Sequence, residues 1–188
     1  MYYPPTLLRG LGHSPDERNK LVELQQAFDA PYAWVFTSGG GRKSTARTAM
    51  GAANRNGVIS IMTELGGGGS VSPKILALTE RGIKRLLNCI EMLPGYQPDK
   101  ANGTRELQVS GTISAMDVGL FEPYLDIADP VKSGDPVGAI HSPETPWKKP
   151  VIVQANCEGI VLCKRVPGRV ERGDCLYQIA TDLKELNE

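Results

Sequence analysis

The segment Val58 to Lys74, VISIMTELGGGGSVSPK, decides how the first half of this chain is read. It opens with a β-branched, apolar run, Val58 to Leu65. Such a run predicts a central strand, parallel to its neighbours and covered on both faces. The run carries a single carboxylate, Glu64, near its end. Four glycines, Gly66 to Gly69, follow at once. The glycines either make a tight corner or clear space around a working carboxylate. After them, Ser72-Pro73 supplies a cap and a first-turn proline, predicting a helix to about Leu93 with Ile75, Leu76, Ile83, Leu86, Leu87 and Ile90 at helical spacing.

Upstream, the same alternation recurs. TLLRGLG is apolar and reads as a short strand or loop. Ser14-Pro15 with Glu17 forms a capping-box pattern, and Leu21, Leu24 and Phe28 mark the apolar face of a helix that Pro31 stops. Tyr32 to Ser38 reads as a short buried strand. A glycine turn then leads to a helix over Ala46 to Asn54, capped by Ser44 or Thr45 and ended at Gly57. Alternating helices and strands predict an α/β layer with a mostly parallel sheet. About two strands make a thin sheet with exposed edges, which predicts that further strands come from elsewhere.

The turn-rich stretch Pro94 to Thr104 is the expected domain boundary, giving domains 1–100 and 101–188. Beyond it, short apolar runs alternate with Gly, Pro and Asp, an all-β texture. This half contains an internal repeat. GLFEPYLDIADPVKSGDPVGAI (Gly119 to Ile140) matches GIVLCKRVPGRVERGDCLYQI (Gly159 to Ile179), each with V-x-x-G-D, at Val131 to Asp135 and Val170 to Asp174. Two copies of about 40 residues suit a small barrel with a pseudo-twofold axis, like the biotinyl/lipoyl-type barrel-sandwich fold. In carriers of that kind the hairpin between the copies holds the modified lysine. Here HSPETPWKKPVIVQ offers Lys148 and Lys149 but lacks the Met-Lys-Met and Asp-Lys-Ala acceptor patterns, so a structural domain is expected.

Composition narrows the function. The chain has 188 residues, 40% hydrophobic and 22% charged, with equal numbers of acidic and basic side chains and no net charge. A neutral chain is not expected to bind nucleic acid or membrane surfaces, which draw on a basic excess. No apolar run approaches the roughly 18 residues of a membrane span. The N-terminus lacks a signal-peptide pattern, and the expected location is cytoplasmic. Cys89, Cys157, Cys163 and Cys175 form no C-x-x-C pair and read as buried free thiols.

SGGGRKSTA invites a phosphate-loop reading, but Lys43-Ser44 follows Arg42 where that motif needs glycine. An anion contact or a plain turn remains. Glu64, at the expected C-terminal end of a parallel strand, stands where sites in open α/β sheets gather. It reads either as a general base or as a glutamate that pairs with an arginine or caps the next helix.

GVISIMTELGGGGSVSPK followed by RGIKRLLNCIEML, together with FDAPYAWVF and both repeats of the second half, resembles the succinylglutamate desuccinylase/aspartoacylase family. The likeness is greatest to the branch that deacetylates N-acetylated diamino acids. It implies a carboxypeptidase-like α/β core, a closing β-domain and zinc-dependent hydrolysis of the amide bond of an N-acyl amino acid. By this resemblance Glu64 matches the catalytic glutamate, Gly66 and Gly67 let substrate approach, and an arginine holds the substrate carboxylate, with Arg42, Arg47 and Arg55 as candidates. The family's zinc ligands, H-x-x-E and a later histidine, have no match here. His13 and His141 are the two histidines, and neither stands in that pattern. The chain is therefore expected to be a C-terminal portion that binds no zinc and is inactive alone. It would need an N-terminal partner or region, as a fragment, truncated frame or split subunit. Its exposed sheet edge allows a homo-oligomer. The alternative is a non-catalytic binding or oligomerisation module.

Overall fold

The computed structural model describes residues 1–36 and 48–184. The glycine turn, the Ser44 and Thr45 caps and the phosphate-loop segment lie outside them. The chain divides into two compact units. An α/β unit comprises Pro5–Gly66, Val71–Gln108 and Asp182–Glu188, and a β unit comprises Met1–Pro4, Gly67–Ser70 and Val109–Thr181.

In the α/β unit, β1 (Tyr2–Gly10), β2 (Tyr32–Phe36) and β4 (Arg105–Ser114) lie parallel, with Leu8 level with Trp34 and Trp34 level with Leu107. The order is β3-β1-β2-β4, where β3 is Met62–Gly67. The sheet is thus fuller than the two strands read from sequence, because β1 and the start of β4 complete it. Helix α1 (Pro15–Phe28) makes the crossover from β1 to β2. Ser14 caps it, accepting the Glu17 N–H, and the Glu17 carboxylate accepts the His13 N–H in return. Helix α2 (Ala49–Arg55) is capped by Thr48. Helix α3 (Pro73–Cys89) starts at its Ser72 cap as expected but ends before Leu93. Glu91 at φ 62 turns the chain out of the helix, and the Asn88 side chain bonds the Leu93 and Tyr96 carbonyls.

The core of this unit joins Leu7, Phe28, Ala30 and Ala33 to Ile61, Leu78 and Leu86. Gly82 of α3 lies against the Phe28 ring, where a Cβ would come within 2.6 Å of it. Two buried polar centres lock the helices. Arg9, 3% exposed, donates to Gln25 and to Glu106, and Gln25 donates to the same Glu106 oxygen. Asp29, 2% exposed, adopts φ 57 at the C-cap of α1. Its carboxylate accepts N–H bonds from Asn102 and Gly103 and pairs with Arg81 at 2.9 Å.

The β unit bears out the repeat strand by strand. The first copy runs β4, β5 (Gly119–Pro123), β6 (Pro130–Val131) and β7 (Pro136–His141). The second runs β8 (Val151–Gln154), β9 (Gly159–Lys164), β10 (Arg169–Val170) and β11 (Cys175–Asp182). Each short strand pairs with the other copy, β6 with β9 and β10 with β5. The order β10-β5-β7-β8 therefore mirrors β6-β9-β11-β4. The turns match bond for bond. Asp135 accepts the Lys132 N–H and Asp174 the Glu171 N–H, both at 2.8 Å, and Gly134 and Gly173 take φ 91 and 92. Positive φ at both sites is what requires glycine in V-x-x-G-D.

One core fills the β unit, and its residues pair across the duplication: Ile113 with Val153, Phe121 with Val161, Val131 with Val170, Ile140 with Ile179. The copies differ at one exchange of volume. Phe121 faces Gly138, where a Cβ would come 2.5 Å from its ring, while at the equivalent places Val161 is matched by Tyr177. The Phe121 and Tyr177 rings meet edge to face at 5.7 Å. Burial pushes the Tyr177 hydroxyl up to about 12, and it donates to the Val137 carbonyl at 3.1 Å.

Burial works against charge on Asp29, but the Asn102 and Gly103 N–H bonds and Arg81 outweigh it and hold its carboxyl below the usual range. The folded state then binds this proton less tightly than the unfolded chain does. The stabilisation is complete above the unfolded value of about 4 and is lost as pH falls through the folded value. Asp29→Asn is expected to cost about 2–4 kcal/mol at neutral pH and to flatten the fall in stability between about pH 5 and pH 2. Urea unfolding across that range checks both.

Candidate active-site strand

Glu64 lies inside β3, not at its end. The strand is not the central one expected from the apolar run. It pairs with β1 alone and is the edge of its sheet among the described residues. Gly67, its last residue, lies against Met1 and Tyr2, the start of β1, so β3 runs antiparallel to β1. Val58 and Met62 are 55% and 40% exposed, and the run is not covered on both faces. An edge strand is free on one side, so its apolar residues need not be buried.

The glycine run has a direct backbone cause. Gly66, Gly67, Gly68 and Gly69 take φ 81, 145, 68 and 77, a region L side chains rarely enter. A Cβ on Gly67 would stand 2.1 Å from the Met1 carbonyl oxygen, and one on Gly68 would stand 2.9 Å from the Val166 side chain. The corner closes when Ser70 donates through both its N–H and its hydroxyl to the Gly67 carbonyl. Ser72 then caps α3.

Glu64 is half-buried, and its carboxylate makes no hydrogen bond or ion pair among the described residues. It does not cap α3, because Ser72 does. Of the arginines read as carboxylate binders, Arg42 and Arg47 lie outside the described residues, and Arg55 is exposed at the end of α2. A cleft of about 340 Å³ opens in the α/β unit, lined by His13, Asp16, Glu17, Asn54 and Val58 among others, and Glu64 is not in its wall.

No group of three or more His, Cys, Asp or Glu is placed to hold an ion among the described residues. The His13 N–H serves the α1 cap, and the His141 ring pairs with Glu122 at 2.7 Å in the β unit. The described residues do not fit a two-histidine, one-carboxylate zinc site. None of the four cysteines forms a disulfide; Cys163 is fully buried and the others are half-buried. Among the described residues no helix is long and apolar enough to cross a membrane.

Comparison with known proteins gives a consistent answer. No family model matches the chain. Over 174 residues it is 29% identical to the N-alpha-acetyl-L-2,4-diaminobutyric acid deacetylase of Halomonas elongata, covering 91% of this chain and 50% of that protein. A succinylglutamate desuccinylase/aspartoacylase from Rhodobacter sphaeroides superposes over 98% of this chain with TM-score 0.82 and 28% identity. The chain is similar to proteins described as members of the succinylglutamate desuccinylase/aspartoacylase family. The product-bound ectoine utilization protein EutE (DoeB) of Ruegeria pomeroyi shares the fold at TM-score 0.83 and 23% identity. The chain spans about half the length of these similar proteins, 50% to 55% of each.

The seam between Met1 and Gly67 yields a direct test. Gly67→Ala puts a methyl into the Met1 carbonyl at a forbidden φ and is expected to cost about 3 kcal/mol or more. Gly69→Ala meets no atom within 4 Å and carries only the backbone cost, about 1–2 kcal/mol. Denaturant midpoints of the two variants check the order.

Proposed function

We propose that this chain is the part of an N-acyl amino acid deacylase that carries the general base, Glu64. The observation that carries the reading is a half-buried carboxylate with no partner among the described residues, on a strand positioned by an obligatory glycine corner. A structural glutamate in such a place would be paired or would cap a helix. An unpaired one keeps its lone pairs for a proton. The name of the Halomonas relative supports an acetylated diamino acid as the substrate class.

In the proposed reaction Glu64 takes a proton from the attacking water. The oxygen bonds to the acyl carbon, and the same proton passes to the amine nitrogen as the C–N bond breaks. The products are a carboxylic acid and a free amine. Arg42 or Arg47 would grip the substrate carboxylate through two parallel N–H bonds. Gly66, free of a side chain, would leave the strand open to the acyl group, whereas the space beside Gly67 is taken by the Met1 carbonyl. The zinc ligands of the family would come from polypeptide outside this sequence, an N-terminal region or partner.

The finer fold reading belongs to the same proposal. The α/β unit is part of a carboxypeptidase-like layer, and the β unit is a biotinyl/lipoyl-like barrel-sandwich. The mirrored four-strand orders β10-β5-β7-β8 and β6-β9-β11-β4 support the second assignment. The location proposed is the cytoplasm.

The test uses the chain fused to the half of the Halomonas deacetylase that it does not match. Glu64→Gln should lower deacetylation of N-acetyl-diaminobutyrate by about 10²–10⁴-fold with an unchanged melting temperature. Unchanged turnover would return Glu64 to a structural role.

A further inference from the structure

The chain contains two Asn-Gly pairs, Asn56-Gly57 and Asn102-Gly103. This dipeptide is especially open to spontaneous loss of the asparagine amide, because glycine has no side chain to keep its backbone nitrogen away from the preceding side chain. Both pairs are exposed, and a Cβ at either glycine would meet no atom within 4 Å. Space does not distinguish them; their hydrogen bonds do.

At Asn102-Gly103 the reacting groups are tied to one carboxylate, Asp29, which is 2% exposed. The Gly103 N–H donates to Asp29 Oδ1 at 3.0 Å, and the Asn102 side-chain amide donates to Asp29 Oδ2 at 3.2 Å. The Asn102 N–H donates to both oxygens. Attack needs the glycine nitrogen to give up its proton and turn onto the asparagine Cγ. The neighbouring carboxylate opposes the first by its charge, and its hold on both groups opposes the second. The product is opposed too, since a new carboxylate at position 102 would stand against Asp29. At Asn56-Gly57 the restraints belong only to the end of α2. The Asn56 side-chain amide donates to the Ala52 carbonyl at 2.8 Å, and the Gly57 N–H donates to the Asn54 carbonyl at 3.2 Å. Helix α2 has seven residues, none of them buried. A helix so short is held weakly and opens without unfolding the unit around it.

We infer that Asn56 is a deamidation site of the folded protein, and that the Asp29 carboxylate protects Asn102 from the same reaction. The Gly57 nitrogen loses its proton to solvent base and bonds to the Asn56 Cγ. The Cγ–Nδ2 bond breaks, and the amide nitrogen takes a proton from water and leaves as ammonia. Water then opens the cyclic imide at one of its two carbonyls, leaving aspartate or isoaspartate. The chain, neutral as encoded, becomes negative. The new charge stands at the C-terminal end of a helix, where the helix dipole disfavours it. The isoaspartate form also adds a methylene to the backbone just before Val58 and Ile59, in the wall of the cleft.

The test incubates the whole chain at mildly alkaline pH and follows both Asn-Gly peptides by mass spectrometry, with chromatography separating aspartate from isoaspartate. In the folded chain Asn56 is expected to convert at least about 10-fold faster than Asn102, and in denaturing urea the two rates should agree within about 2-fold. Thr48→Ala removes the α2 cap and should speed Asn56 about 5-fold while leaving Asn102 unchanged. Asp29→Asn, in chain that circular dichroism shows to be folded, should bring the Asn102 rate up to that of Asn56. If that variant does not fold, the wild-type ratio and the Thr48→Ala rate carry the test. Equal rates in the folded wild type, no conversion at Asn56, or an Asn56 rate indifferent to Thr48→Ala would overturn the inference. A folded Asp29→Asn chain in which Asn102 stays slow would overturn the protective role of Asp29.

Discussion

The structure turns on one close approach between backbones: the Met1 carbonyl occupies the place where any side chain at position 67 would begin. That contact fixes the end of β3 against the start of β1 and forces glycine at the meeting point. Two further glycines at positive φ, Gly68 and Gly69, carry the chain away from the seam towards the Ser72 cap. The antiparallel direction of β3 against β1 follows. A carboxylate on a loop would have many orientations. This one, Glu64, is held on a paired strand.

The β unit depends on a second constraint, the exchange of strands between two copies of one motif. Neither copy closes alone, because β6 and β10 find their partners in the other copy. The duplication is not a simple doubling of side chains. A single large ring fits beside each half of the core, and the sequence places it once as Phe121 against Gly138 and once as Tyr177 beside Val161.

Much of this was legible because its causes are local. V-x-x-G-D marks the turns, since the positive φ of Gly134 and Gly173 and the Asp-to-N–H bonds arise within a few residues. Ser14, Pro15 and Ser72, Pro73 mark helix starts for the same reason. What was not legible depends on distant partners. Val58 to Leu65 looks like a central strand by composition, yet only its neighbours decide whether it is an edge. β1 reads as a short strand or loop because Pro4 and Pro5 interrupt it, although Leu7 and Leu8 are buried. The Arg9, Gln25 and Glu106 centre joins residues far apart in sequence and leaves no local pattern. Of the candidate site, Glu64 and its glycines were visible, but the reason for the glycines was not. They are required by the Met1 carbonyl and the Val166 side chain as much as by any substrate.

The proposed function places a deacylase's base, Glu64, in this chain, and the described residues offer no donor set for a metal. It is tested most directly by incubating the isolated chain with zinc and N-acetyl-diaminobutyrate, then measuring bound metal and released acetate together. The account predicts neither stoichiometric zinc nor turnover. One zinc per chain accompanied by acetate release would contradict it.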